Sequence, residues 1–136
     1  ADKVKGRKVV IFAVPGAFTS TCHTAHVPSF IRTKDQFAEK GVDEIICLAG
    51  NDPFVMSIWG DNTGAAEAGI TMLSDAECTL TEALGMRFDA PAAGLIGRSL
   101  RYAMLVEDGE VKVLNKEENP GQCELSAGEG LLESMG

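Results

Sequence analysis

The sequence has little positive charge and no long apolar run. Its 12 Lys and Arg residues stand against 20 Asp and Glu residues, which gives a formal net charge of −8 at pH 7. This sign argues against a nucleic-acid partner, because binding to phosphates depends on Lys and Arg. The longest uninterrupted apolar stretch, Val9–Val14, has six residues, whereas a membrane-spanning helix needs about twenty. We therefore expect neither nucleic acid nor a membrane as a partner.

The chain length indicates a single domain that needs no disulfide staples. A chain of 136 residues buries about two-thirds of the surface that its unfolded form exposes, so we assign residues 1–136 to one domain. A secretory leader is not indicated, because the apolar run after the charged start ends at Pro15 and is too short for a signal-peptide core. We expect an intracellular protein, in the cytoplasm, or in an organelle such as the mitochondrion if a targeting segment has been removed.

Apolar runs in the first half predict strands that alternate with helices. Val9–Val14 and Glu44–Ala49 are short, rich in β-branched residues and bounded by Pro or Gly, which is typical of buried strands. A helix is predicted after each of them. The first helix starts at the hydroxyl cluster Thr19–Thr21 and runs to about Lys40, and the second starts at Asn51–Pro53. This order implies parallel strand pairing.

The second half ends in an antiparallel hairpin. Asp108-Gly109 is a strong signal for a two-residue turn, here between strands around Leu100–Val106 and Glu110–Leu114. The other expected elements are a short strand near Ile70–Leu73, a helix from about Leu80 to Met86, a loop over Pro91–Arg98 and a last helix over Leu125–Met135. The predicted fold is α/β, with a mixed central sheet of about five strands and helices on both faces. This order resembles the thioredoxin fold with one inserted strand–helix unit.

One cysteine has a position that favours reactivity. Cys22 lies in the first turn of the first predicted helix, at the carboxyl end of the sheet where open α/β folds bind their ligands. The N–H groups of such a turn stabilise a thiolate and can lower a cysteine pKa of about 8.5 by roughly two to four units. No Cys-x-x-Cys pair is present, so redox chemistry would start from this single cysteine. A buried structural thiol is the alternative.

The residues around Cys22 form a specific motif. Pro15–Cys22 reads PGAFTSTC, His26 follows one helical turn later, and Asn51–Met56 reads NDPFVM. These stretches closely resemble the peroxiredoxin 5 subfamily of thiol peroxidases, also called type II peroxiredoxins, and the resemblance covers nearly the whole chain. Ser20 departs from the pattern, because the family usually carries proline at that position.

The resemblance implies a role for each matching residue. It makes Cys22 the peroxidatic cysteine, Thr19 its hydroxyl partner and Pro15 a wall that shields it. Arg101 matches a distant arginine that holds the thiolate and polarises the peroxide, which suits a permanently charged planar donor. His26 resembles a group that orients this arginine. Without the resemblance, Thr19 would be interpreted as a helix cap and Arg101 as a surface charge.

Resolution of the oxidised cysteine calls for a second thiol, because a sulfenic acid condenses with a thiol or is oxidised further. Cys123, in a polar loop, resembles the resolving cysteine of animal-type members. Cys47 matches the position used by plant-type members, but its apolar strand favours a structural thiol. Cys123 is therefore the stronger candidate. Cys78 matches no family role.

The resemblance implies a peroxidase that needs no bound cofactor. Its substrates would be hydrogen peroxide, alkyl hydroperoxides and peroxynitrite, and its reductant thioredoxin, glutaredoxin or glutathione. Members of the subfamily are often homodimers, and the candidate contact residues here are Phe18, Phe54 and Leu95. No metal is expected, because the thiol and imidazoles at Cys22, His23 and His26 lack a second ligand pair at zinc spacing.

Two other functions fit parts of the same pattern. A redox sensor or relay would oxidise at Cys22 and pass the oxidation to a partner protein without sustained turnover. A binding or chaperone module on a peroxidase-like fold would keep Cys22 at an ordinary thiol pKa.

Overall fold

Seven strands and four helices make up the described part of the chain. The computed structural model describes residues 7–16, 26–75, 79–90, 92, 95–117 and 126–135. The strands are β1 (Lys8–Val14), β2 (Glu44–Ala49), β3 (Thr71–Ser74), β4 (Arg87–Ala90), β5 (Leu95–Ser99), β6 (Tyr102–Glu107) and β7 (Glu110–Lys116). The helices are α1 (Val27–Glu39), α2 (Pro53–Thr63), α3 (Thr79–Ala83) and α4 (Gly128–Met135).

The main sheet has five strands in the order β3-β2-β1-β6-β7. β1 pairs in parallel with β2, and β2 with β3, whereas β6 runs antiparallel to both β1 and β7. The central place of β1 explains its apolar run Val9–Val14, because a strand with neighbours on both sides and packing on both faces buries these positions. The predicted mixed sheet, its parallel first half and its antiparallel hairpin are confirmed.

Side chains of β1 alternate between two cores, one on each face of the sheet. Val10, Phe12 and Val14 belong to the larger core. It also contains Phe30 and Phe37 of α1, Met56 and Trp59 of α2, and Leu131 of α4. Val9, Ile11 and Ala13 face the smaller core, which contains Met86, Tyr102 and Met104.

Two local predictions are confirmed in detail. Asp52 caps α2, because its side chain accepts a hydrogen bond of 2.8 Å from the N–H of Val55. At the tip of the β6–β7 hairpin, φ is +50° at Asp108 and +79° at Gly109. Positive φ at both central residues is the requirement of a type I′ turn, which matches the twist of the flanking strands.

The structure corrects the boundaries in the second half. The predicted loop over Pro91–Arg98 is wrong for Leu95–Arg98, because β5 pairs antiparallel with β4 in a second, two-stranded sheet. The pairing is irregular, with a register shift between Phe88 and Ala90. The strand predicted from Leu100 begins at Tyr102, and the last helix begins at Gly128.

Candidate active site

Two predicted site residues lie together at the carboxyl end of β1. Pro15 and Gly16 are buried directly after this strand. Arg101 directly precedes β6, and because Tyr102 pairs with Ala13 in the antiparallel register, Arg101 is placed beside the end of β1. Only 2% of Arg101 is exposed. The sequence-based alternative of a surface arginine is therefore wrong.

Arg101 is hydrogen-bonded to His26, the residue that caps α1. Its Nη1 lies 2.9 Å from Nδ1 of His26. On the other side of the ring, Nε2 of His26 lies 2.9 Å from the carbonyl oxygen of Ser126. A carbonyl only accepts and a guanidinium only donates, so the ring carries its proton on Nε2 and accepts from Arg101 at Nδ1. The structure therefore brings His26 and Arg101 into contact, and the orienting role of His26 stays a prediction.

Burial keeps the His26 ring neutral. Its pKa falls from 6.5 to about 3, first because burial penalises the charged form and second because the positive charge of Arg101 repels a second proton. The Ser126 carbonyl acts in the opposite direction, since it accepts from the ring. A neutral imidazole is what the contact requires, because a protonated Nδ1 could not accept from Arg101.

Aromatic packing fixes the plane of the His26 ring. The ring centroid of His26 lies 5.0 Å from that of Phe12 and 5.7 Å from that of Phe30. The two phenyl rings are themselves stacked at 4.1 Å. The backbone is also held, since Oγ of Ser29 donates to the His26 carbonyl at 2.6 Å. The imidazole can therefore present Nδ1 to Arg101 in one orientation.

Two site residues were not predicted from the sequence. Ser126 is fully buried, and its N–H and Oγ both donate to Oε2 of Glu117, at 2.8 and 2.7 Å. Glu117 is itself only 4% exposed. The sequence offers no signal for this contact, because Glu117 stands in a charged run, Lys116–Glu118, that is typical of a solvated surface.

The structure locates the predicted cysteines only in part. Cys47 is completely buried on β2, in register with Phe12 and inside the larger core. Cys22, Thr19, Cys123 and Cys78 lie outside the described residues, as do Phe18, Ser20 and His23. The segments that carry Cys22 and Cys123 nevertheless end, along the chain, at His26 and at Ser126. The described part of the site is therefore the hydrogen-bonded group of Arg101, His26, Ser126 and Glu117.

The described residues contain neither a metal-binding group nor a membrane-spanning helix. No three His, Cys, Asp or Glu side chains in this part of the chain come together as a metal-binding group. Over the same residues, no helix has the length and apolarity to cross a membrane.

Known proteins resemble this chain along almost its whole length. Residues 1–132 match the family model for redoxin. The chain is 46% identical to chloroplastic peroxiredoxin-2E-2 of Oryza sativa subsp. japonica over 99% of this chain and 60% of the relative. It is 42% identical to mitochondrial peroxiredoxin-2F of Arabidopsis thaliana over 97% of this chain and 65% of the relative. The chain thus spans less than two-thirds of the length of these two relatives.

A solved bacterial structure shares the fold. Reduced Prx3 of Vibrio vulnificus superposes with a TM-score of 0.92 at 43% identity, over 98% of this chain and 84% of that one. The same protein in complex with hydrogen peroxide gives a TM-score of 0.91 at 44% identity, with the same coverage.

Proposed function

Because the chain belongs to the redoxin family and, within it, to the type II peroxiredoxins, a family of peroxidase enzymes, we propose that it is a thiol peroxidase whose nucleophile is Cys22. The observation that carries this proposal is the 2.9 Å contact between Arg101 and His26 at the carboxyl end of β1. It supplies a buried, oriented guanidinium beside His26 and the end of β1, which flank the motif Thr19-x-x-Cys22 in the sequence. Pro15 is also buried there, and we propose that it shields the Cys22 thiolate from water.

The proposed reaction transfers one oxygen atom to sulfur. The Cys22 thiolate attacks one peroxide oxygen, so that an S–O bond forms as the O–O bond breaks. The departing oxygen takes up a proton and leaves as water or an alcohol. Sulfur loses two electrons, the peroxide gains them, and Cys22 becomes a sulfenic acid. Negative charge moves onto the departing oxygen, so donors aimed at that oxygen lower the barrier.

Arg101 and Thr19 are the proposed donors for this step. The guanidinium of Arg101 stays protonated at any relevant pH, and its planar N–H fork can hold the thiolate and polarise the peroxide together. His26 constrains the direction of this fork through Nδ1. The hydroxyl of Thr19 would supply a second hydrogen-bond donor to the peroxide. Hydrogen peroxide and alkyl hydroperoxides fit this chemistry, and peroxynitrite shares the same O–O bond.

We propose that Cys123 resolves the Cys22 sulfenic acid by forming a disulfide with it. A second thiol attacks the sulfenic acid, an S–S bond forms and water leaves. Cys47 is a poor candidate, because it is completely buried in the sheet. A thioredoxin, glutaredoxin or glutathione thiol would then reduce the disulfide, with the cytoplasm or an organelle as the location. The names of the rice and Arabidopsis relatives, chloroplastic and mitochondrial, support an organelle.

Peroxide consumption by Cys22→Ser tests the activity directly. We expect the variant to lose turnover with each of the three reductants, whereas Cys78→Ser, which removes a cysteine with no assigned role, keeps the wild-type rate. Mass spectrometry after one equivalent of hydrogen peroxide then tests resolution. A loss of about two mass units that disappears in Cys123→Ser identifies the Cys22–Cys123 disulfide. A Cys22→Ser protein with wild-type turnover would overturn the proposal.

A homodimer is proposed to form through α2. Phe54 is 80% exposed and Ile58, one helical turn later, is 58% exposed, which gives this helix an apolar outer stripe. Phe18 and the side chain of Leu95, the other candidate contacts, lie outside the described residues. Sedimentation at micromolar concentration should show a dimer that Phe54→Ser weakens, while the exposed Leu114→Ser leaves it intact. A wild-type monomer at this concentration would contradict the proposal.

A further inference from the structure

Glu117 buries a carboxylate that the proposed chemistry does not use. Its Oε2 accepts two hydrogen bonds from Ser126, one from the backbone N–H and one from Oγ. Burying an ionisable group is costly unless it is paired or hydrogen-bonded, so an acidic side chain that is 4% exposed calls for a role. A surface glutamate would reach solvent instead.

The same two residues contact the Arg101–His26 pair from both ends. The carbonyl of Ser126 accepts from Nε2 of His26. The backbone N–H of Glu117 donates to the carbonyl of Arg101 at 3.0 Å. The hydrogen bonds therefore form a closed ring, which runs from the Arg101 side chain through His26, Ser126 and Glu117 back to the Arg101 backbone.

Each link of the ring constrains the next. With both donors of Ser126 held by one carboxylate oxygen, its peptide group is fixed, and so is the direction of its carbonyl. That carbonyl, together with the Arg101 guanidinium on the other side of the imidazole, favours the proton on Nε2 of His26. Nδ1 is then left as the acceptor that Arg101 needs.

From this ring we infer that Glu117 is a positioning residue, which acts through Ser126 to fix the Nε2–H tautomer of His26 and, through His26, the direction of the Arg101 guanidinium. The kinetic part of this inference rests on the proposed peroxidase function. The tautomer does not, because it is a property of the resting protein. The two can therefore fail separately.

Three variants separate the effect of the Glu117 carboxylate on Ser126 from its effect on folding. Glu117→Ala removes the acceptor, Glu117→Gln keeps an oxygen that can accept from Ser126, and Ser126→Ala removes only one of the two donors. Glu110→Ala is the matched control, since Glu110 flanks the other end of β7 and is exposed. Circular dichroism first shows which variants fold. If Glu117→Ala does not fold, Ser126→Ala replaces it.

The first readout is the ¹⁵N NMR signature of His26. The chain has only two histidines, so a His23→Gln spectrum assigns the signal. We expect the Nε2–H tautomer in the wild type, in Glu110→Ala and in Glu117→Gln, and a mixture of tautomers in Glu117→Ala. A pure Nε2–H signal in a folded Glu117→Ala protein overturns the inference, whether or not the wild type reduces peroxide. If Glu117→Ala does not fold, a pure Nε2–H signal in Ser126→Ala overturns it.

The second readout is the second-order rate constant for peroxide. We expect a loss of about tenfold in Glu117→Ala, about threefold in Ser126→Ala, and wild-type values in Glu110→Ala, with Glu117→Gln restoring most of the rate. A wild type without turnover would reject the proposed function and leave the tautomer test standing. Equal losses in Glu117→Ala and Glu117→Gln with an unchanged His26 signal would mean that Glu117 acts only on folding, which contradicts positioning.

Discussion

Arg101 and Tyr102 are neighbours in the chain, are equally buried, and differ in what surrounds their polar atoms. Arg101 faces the side of the sheet that holds His26 and takes part in a closed ring of hydrogen bonds. Tyr102 packs in the smaller core on the other side, and within the described part of the chain its hydroxyl has no hydrogen-bond partner. Burial, and after it the nearby charge of Asp75, raises the pKa of this hydroxyl. The polar atoms of Arg101 therefore belong to a hydrogen-bonded ring, whereas Tyr102 contributes mainly its aromatic ring to the smaller core.

The largest expected effect is on the face of Arg101. Arg101→Lys should lower the second-order rate constant for peroxide by about 100-fold, which is typical of removing one aligned donor from a transition state. Lysine keeps the charge but cannot reproduce a planar fork held by His26. Stopped-flow kinetics measures the effect, with Arg32→Lys as the control because, among the described residues, Arg32 forms an exposed ion pair with Glu129. A rate near that of the wild type would show that the orientation of Arg101 is irrelevant.

His26 should make the stability depend on pH. An unfolded chain binds a proton on this ring below pH 6.5, whereas the folded protein resists until about pH 3. The stabilisation by neutral His26 is thus fully present above pH 6.5 and is lost as the pH falls toward 3, by up to about 1.4 kcal/mol per pH unit. Urea unfolding should therefore show a steeper loss for the wild type than for His26→Gln, which can make both hydrogen bonds without titrating. Parallel curves for the two proteins would refute this account.

A smaller effect is expected on the face of Tyr102. Thr81 is buried, and its N–H and Oγ1 both donate to Oδ2 of Asp75, at 2.7 and 2.6 Å. Thr81→Val removes one of these bonds and should lower the free energy of unfolding by about 1 kcal/mol. The peroxide rate constant should stay at the wild-type value, because Thr81→Val changes no hydrogen bond among Arg101, His26, Ser126 and Glu117. A tenfold loss of rate in this variant would show that the two faces are coupled.

The smallest effect is expected at Tyr102 itself. Tyr102→Phe removes a buried hydroxyl that has no partner in the described residues, so the free energy of unfolding should rise or stay within about 0.5 kcal/mol. Tyr102→Leu, which removes the ring, is the comparison and should cost roughly 3 kcal/mol. Urea unfolding of the two variants measures both changes in the free energy of unfolding. A loss above about 2 kcal/mol in Tyr102→Phe would mean that the hydroxyl stabilises the fold.

Local chemistry made much of the fold predictable. Asp52 before Pro53, and Asp108 before Gly109, specify a helix start and a turn from adjacent residues alone, and both are confirmed. The pairing of β4 with β5 was missed, because it depends on two short segments meeting around an irregular register. Pro91 and the glycines nearby have the composition of a loop.

The candidate site was predictable where a motif carries it. The resemblance singled out Arg101 and His26, and the structure brings them together. Glu117 and Ser126 could not be predicted, because their contact joins two positions across a segment whose path no local pattern specifies. The roles of Cys22, Thr19 and Cys123 stay predictions.

The hairpin tip at Asp108-Gly109 is a suitable attachment point for a label or a surface. Lys8 pairs with Glu107 at one end of β1 and Ala13 pairs with Tyr102 at the other, so the tip and Arg101 lie at opposite ends of the sheet. Both tip residues are exposed. A fluorophore or a surface tether attached there would lie at the opposite end of the sheet from Arg101. An immobilised layer of the protein would therefore point the Arg101 end of the sheet outward.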